Sequence, residues 1–215
     1  MSPTVKICGL STEDTVEAAI GAGAGLVGFV FYPPSPRAVT PERAGRLVQA
    51  VPPTVAKVGL FVDPDDALLD RALSLAGLDM IQLHGQEPPG RVAQIRERFR
   101  RPVMKAIRVG AAADVDAAQR YLDVADRLLF DAQPPRRPGA LPGGNGEPFD
   151  WTLLAGRSWP LPWMLSGGLT IDNIAEAVRT TGAPAIDVSS GVETSPGIKD
   201  VGLIREFIAT AKGLG

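Results

Sequence analysis

One cysteine and one histidine are all that the 215 residues hold of the two side chains most used to bind zinc. A lone cysteine cannot close an internal disulfide, and with one histidine it is too few for an ordinary zinc site. No metal is expected, and a reducing compartment such as the cytoplasm is. An excess of charge of one sign is missing too. Twenty-two basic residues against 24 acidic ones leave a net charge of -2, and no basic run occurs. That excludes the footprint of a nucleic-acid binder. No basic segment leads into an apolar one at the start, so no secretory signal is expected. The uncharged stretch from Ala18 to Pro36 has the length of a membrane span. Gly21, Gly23, Gly25, Gly28 and the prolines interrupt it. A helix end running into a buried strand explains it better, and no membrane partner is expected.

What is present is apolar and rhythmic. Hydrophobic residues make up 45% and mean hydropathy is +0.08, which suits one domain over residues 1–215, or two small ones. Strand-like runs fall at 4–8, 26–31, 56–62, 79–83, 103–107, 127–131, 162–166 and 185–188. Helical patterns fall between and after them, at 12–22, 40–50, 65–76, 89–99, 111–123, 150–155, 171–181 and 200–212. Eight βα units without a domain break point to a single-domain (β/α)8 barrel, of the TIM type. An open doubly wound sheet is the competitor, and it lacks its glycine fingerprint after the first strand.

Two segments break the rhythm. Pro33-Pro34-Ser35-Pro36-Arg37 is too proline-rich for a helix. Gln133 to Pro148 holds five prolines and four glycines. Such long loops in a compact barrel are usually functional. An interdomain linker would fit the second loop only if the residues after it could fold alone, and two further strands are too few.

The chain is organised around Thr4-Val5-Lys6-Ile7-Cys8-Gly9-Leu10. A β-branched run ends at the cysteine, and Gly9 allows a sharp turn toward a helix starting at Thr12. Cys8 therefore sits at a strand's carboxyl end, where α/β proteins bind ligands. A buried apolar cysteine is the plain alternative. Polar residues at the other strand ends converge on the same pocket: Arg37, Asp63, His84, Arg108, Asp131 and Asp187. Asp131 closes the apolar run Leu128-Leu129-Phe130, where poor solvation raises a carboxyl pKa. A loop cap is the alternative for Asp131, and a satisfied strand-end histidine the alternative for His84. After the last two strands come Gly167-Gly168 and Ser189-Ser190-Gly191. Glycine turns and helix N-termini present backbone N–H donors to phosphate, and barrels commonly bind it there. The expected ligand is a phosphate monoester.

Five motifs occur in order: Lys6-Ile7-Cys8-Gly9, Phe31-Tyr32-Pro33-Pro34-Ser35-Pro36-Arg37, Gln82-Leu83-His84-Gly85, Leu165-Ser166-Gly167-Gly168-Leu169 and Asp187-Val188-Ser189-Ser190-Gly191-Val192-Glu193. Together they closely resemble the phosphoribosylanthranilate isomerases, (β/α)8 enzymes of tryptophan biosynthesis. The resemblance runs from Lys6 to Asp200. One departure is Gly143-Gly144-Asn145-Gly146, where the family usually has Gly-Gly-Thr-Gly.

The resemblance implies an Amadori rearrangement of a phosphorylated aminosugar. It places the base on Cys8 and the acid on Asp131, with Arg37 on the anthranilate carboxylate. Asp187 would contact the ribose-derived hydroxyls or the anthranilate nitrogen, and His84 would also touch substrate. No cofactor is implied, because the substrate nitrogen serves as electron sink. A thiol near pKa ~8.5 beside a helix N-terminus would be lowered. To serve as the acid, Asp131 would need to rise from ~3.9 by about two units or more. Asp63 and Arg108 receive no role, and the state is a monomer or homodimer. Two other readings are the histidine-pathway isomerase, which has an aspartate where Cys8 stands, and a non-catalytic phosphate-sugar binding barrel.

Overall fold

The computed structural model describes residues 2–135 and 141–215; the middle of the long loop, residues 136–140, lies outside them. Eight parallel strands close into a barrel in chain order: β1 (Thr4–Cys8), β2 (Leu26–Val30), β3 (Ala56–Phe61), β4 (Met80–Leu83), β5 (Val103–Val109), β6 (Arg127–Ala132), β7 (Trp163–Leu165) and β8 (Ala185–Val188). Closure is made where β1 pairs with β8, Lys6 opposite Asp187. Every residue of β2, β4 and β8 is buried, because helices cover the outside while side chains fill the inside. The outer ring is α1 (Glu13–Ala22), α2 (Pro41–Leu47), α3 (Asp66–Ala76), α4 (Pro89–Phe99), α5 (Ala112–Asp116), α6 (Ile174–Thr181) and α7 (Val201–Lys212). Thr40, Asp65 and Asp200 cap α2, α3 and α7 by accepting from backbone N–H groups of the first turn.

The expected single-domain (β/α)8 barrel is the observed fold, with helices trimmed where side chains compete for the backbone. The pattern at 111–123 splits into α5 and a 3₁₀ turn (Ala117–Tyr121), and that at 150–155 is a 3₁₀ turn (Trp151–Leu154). The pattern at 171–181 begins only at Ile174, because Asn173 closes the preceding loop instead. Its Oδ1 accepts from Thr170 N at 2.8 Å and its Nδ2 donates to Gly168 O at 2.9 Å. A short hairpin, β9 (Glu193–Ser195) and β10 (Ile198–Lys199), was not expected and follows β8. The uncharged stretch 18–36 is the end of α1, then β2, then the proline-rich turn. No helix among the described residues is long and apolar enough to cross a membrane.

Alternation along the strands decides what the barrel encloses. Leu26, Val58, Met80, Met104, Leu129, Met164 and Ala185 form a dry plug inside it. Two residues further on, the same strands present Gly28, Leu60, Gln82, Ala106, Asp131, Ser166 and Asp187. The interior thus turns from apolar to polar within one step of the pleat. Gly28 makes room for the inward side chains of β1: a Cβ there would meet Cys8 Sγ at 3.0 Å and Lys6 Cε at 3.2 Å.

Outside the barrel, the turn after β4 is tied down by a buried ion pair. Lys105 Nζ lies 2.8 Å from Glu87 Oε2 and also donates to the carbonyls of Leu83 and Gly85. Glu87 Oε1 in turn accepts from the N–H groups of Asp63 and Gly85. This arrangement holds Asp63 at φ 45°, unusual without glycine, and fixes the turn that carries His84.

Candidate active site

One cavity opens at the carboxyl ends of the strands and encloses about 800 Å³ of empty space, its open mouth included. Cys8, Arg37, His84, Asp131 and Asp187 all line it, although they come from five different strands or the turns after them. Gly167, Gly168, Ser189 and Ser190 line it as well. Gly191 does not. Its α-carbon packs on the Leu169 carbonyl, where a side chain would overlap the oxygen, so it joins the two glycine turns rather than facing a ligand. Asp63 and Arg108 stand outside the cavity wall.

Cys8 is buried, and burial pushes its thiol above the ordinary value. The Lys6 ammonium opposes that rise, while Asp187 adds to it. The expectation of a thiol lowered by a helix N-terminus is thus corrected. Helix α1 starts at Glu13, beyond the turn at Gly9, and the sulfur lies within the barrel's low-dielectric mouth.

Lys6 is the residue that reading strand ends alone overlooks. Its Nζ is 2.7 Å from Asp187 Oδ1, and neither side chain reaches solvent appreciably. The Ser166 hydroxyl donates to Asp187 Oδ2 at 3.1 Å. Burial by itself would lower the lysine, but Asp187 and then Cys8 outweigh it and raise its pKa. Two residues before Cys8 on one strand means the same face, so the signal was present in the pleat.

His84 and Asp131 form a second pair, with Nε2 and Oδ2 2.9 Å apart, both buried. Gln82 Nε2 lies 3.0 Å from the other ring nitrogen, Nδ1. The glycine loop lies directly on this pair. A Cβ on Gly143 would come within 2.6 Å of Asp131 Oδ2 and 2.7 Å of His84 Nε2. Asn145, the departure from the family pattern, pins that loop through both its amide atoms to the backbone of Leu141.

Arg37 reaches the cavity but does not offer a free fork. Its Nε and Nη2 donate to the two oxygens of Glu193 at 2.7 Å each, and Nη2 also donates to Gly144 O at 3.2 Å. Glu193 is held from its far side by Lys199 Nζ at 2.6 Å, and Lys199 continues to the carbonyl and hydroxyl of Ser189. Burial alone would raise the Glu193 carboxyl, but Arg37 and Lys199 overcome it and lower its pKa. Hairpin β9–β10 brings these residues together, and nothing local marked it.

The glycine turn after β7 is shaped for close approach. Gly167 and Gly168 have φ of 89° and 63°. A Cβ on Gly167 would lie 2.6 Å from Ala132 N, and one on Gly168 would overlap Pro148 N. Their N–H groups donate to no acceptor among the described residues. Backbone donors so exposed beside a cavity suit an anion.

Groups able to give and take protons, set around one anion-ready pocket on this fold, make the molecule an acid–base enzyme of the (β/α)8 class. Residues 5–210 match the sequence profile of the N-(5'-phosphoribosyl)anthranilate (PRA) isomerases. The chain belongs to that family. It is 60% identical over 213 residues to the N-(5'-phosphoribosyl)anthranilate isomerase of Paramagnetospirillum magneticum, covering 99% of both chains. The crystal structure of the Thermotoga maritima phosphoribosyl anthranilate isomerase is similar at TM-score 0.87 and 38% identity, over 100% of each chain. So is an isomerase of this kind in complex with reduced 1-(o-carboxyphenylamino)-1-deoxyribulose 5-phosphate, at TM-score 0.83, 37% identity and full coverage of both chains.

Proposed function

We propose that this chain isomerises N-(5'-phosphoribosyl)anthranilate to 1-(2-carboxyphenylamino)-1-deoxyribulose 5-phosphate, in tryptophan biosynthesis. The observation that carries the reading is that Cys8 and Asp131, from β1 and β6, line one cavity beside the glycine turns. Asp131 donates a proton to the furanose ring oxygen as the C1'–O bond breaks, leaving a protonated Schiff base. Cys8 thiolate then removes the C2' proton, and the electron pair moves onto the nitrogen to give an enolamine. Protonation of C1' and loss of the enol proton yield the ketone. Lys6 supports the charge on sulfur that this step requires, against the burial that opposes it.

Gly167, Gly168, Ser189 and Ser190 hold the phosphate, and Arg37 offers its remaining Nη1 hydrogens to the anthranilate carboxylate. Asp187, already bonded to Lys6 and Ser166, meets the substrate as a fixed acceptor. The enzyme works as one domain, a monomer or homodimer, in the cytoplasm and without a cofactor. The test is to supply phosphoribosylanthranilate and follow loss of anthranilate fluorescence, with Cys8→Ala and Asp131→Asn as controls. Each variant abolishes turnover yet keeps affinity for the reduced product analogue. Substantial turnover by Cys8→Ala would remove the thiol from the base role.

A further inference from the structure

The strand residue behind the His84–Asp131 pair carries an unexplained polar group. Gln82 is fully buried in β4 and does not line the cavity, so it cannot touch the substrate. Its Oε1 is buried without a partner among the described residues, while its Nε2 lies 3.0 Å from His84 Nδ1. An amide nitrogen can only donate, so Nδ1 must accept. A ring that accepts at Nδ1 is neutral and carries its proton on Nε2. That proton points at Asp131 Oδ2, 2.9 Å away. Turning the amide over would put oxygen on Nδ1 and leave both amide hydrogens without partners among the described residues, where the present orientation leaves one hydrogen and Oε1. In a neutral ring it would also set the Nε2 lone pair against the carboxylate.

We propose that Gln82 is a positioning residue: it fixes the His84 tautomer so that Asp131 Oδ2 is always the acceptor, which leaves Oδ1 as the oxygen that carries and delivers the catalytic proton. The placement of Oδ1 agrees, since it faces the Gly167 turn, where a Cβ would come within 3.1 Å of it. Substrate anchored by that turn therefore meets the oxygen His84 does not occupy. The proton leaves Oδ1 for the furanose oxygen, and the resulting carboxylate keeps its hydrogen bond from Nε2 without any rearrangement. With the opposite tautomer, Oδ2 would have to hold the proton to satisfy Nε2, and the acid would be turned away from the sugar. This inference rests on the reading of Asp131 as the acid.

The chain has a single histidine, so ¹⁵N resonances of an untagged protein report His84 without assignment. Ligand-free protein at neutral pH is expected to show an unprotonated Nδ1 and a protonated Nε2. Gln82→Glu offers only an acceptor and is expected to move the proton to Nδ1, and Gln82→Met removes the contact. Turnover then orders as wild type, Gln82→Met, Gln82→Glu, with KM for phosphoribosylanthranilate within about twofold throughout. A wrong tautomer elsewhere costs up to roughly 10⁴-fold in kcat, and loss of the contact should cost roughly 10- to 100-fold, part of what a general acid contributes. A role in packing alone predicts the reverse order, since glutamate matches glutamine in shape. The proposal is overturned by a proton on Nδ1 in the wild type, by Gln82→Glu matching or exceeding Gln82→Met, or by Gln82→Met retaining wild-type kcat. If Gln82→Glu does not fold, the first and third outcomes still decide. Turnover by Asp131→Asn would overturn the acid assignment itself and leave the tautomer result standing.

Discussion

Arg37 and Glu193, 156 residues apart, are joined through two hydrogen bonds of 2.7 Å along one edge of the guanidinium. The arginine is thereby aimed before any ligand arrives, because a paired planar fork has little freedom left. Glu193→Gln is expected to raise KM several-fold with kcat nearly unchanged, and Arg37→Ala to raise it further. Steady-state kinetics with phosphoribosylanthranilate check both. A Glu193→Gln enzyme with wild-type KM would mean that Arg37 needs no such guide.

The same carboxylate makes a pH prediction. Its folded pKa lies below the ordinary value, so its contribution to stability is present above the unfolded carboxylate pKa, about 4.3, and is lost as pH falls further. Urea unfolding followed from about pH 5 down through about pH 3, across the unfolded carboxylate pKa, should show a steeper loss in wild type than in Glu193→Gln. Parallel curves would count against it.

Cys8 predicts a second pH effect. On the proposed reading of Cys8 as the base, it must be deprotonated, and burial sets its thiol above the ordinary ~8.5, so kcat/KM should climb on the alkaline side past that value. Lys6→Met removes the ammonium that opposes the rise. It should push the limb higher and lower activity at neutral pH. It also leaves Asp187 buried without its cation, which costs about 3–5 kcal/mol in denaturant unfolding. A limb unmoved in Lys6→Met would separate the lysine from the thiol.

Gly168→Ala tests the anion cradle. The φ of 63° and the overlap with Pro148 N both penalise a side chain there. A loss of at least about 1 kcal/mol in stability is expected, with weaker competition by inorganic phosphate and a raised KM. Unchanged phosphate competition would place the anion elsewhere.

The buried pair behind the turn of His84 gives a purely structural prediction. Lys105→Met alone strands Glu87 and should cost about 3–5 kcal/mol. Adding Glu87→Gln should recover part of that loss, as double-mutant unfolding would show. Additive losses would deny the coupling.

Much of this is legible in the residues. The strands of the eightfold rhythm fall where the β-branched and aliphatic runs lie, since a strand buried on both faces must be almost wholly apolar. Cys8, Arg37, His84, Asp131 and Asp187 stand at or just beyond strand ends, and the barrel's geometry brings them to one cavity. Helix ends are less legible, as at Ile174, because one asparagine's choice between capping a loop and opening a helix depends on what lies opposite.

The sequence by itself determined the closed barrel, the face that holds the chemistry and the family to which the chain belongs. Each comes from period, turn residues and local motif, which are properties of neighbours along the chain. Only the tertiary structure decided that Asp187 pairs with Lys6, that Glu193 and Lys199 hold Arg37, and that the Gln82 amide lies against His84 Nδ1. Those pairings join residues that are distant in sequence or that hydrogen-bond in a direction the sequence leaves open. Their energies exist only once burial has removed water as the competing partner.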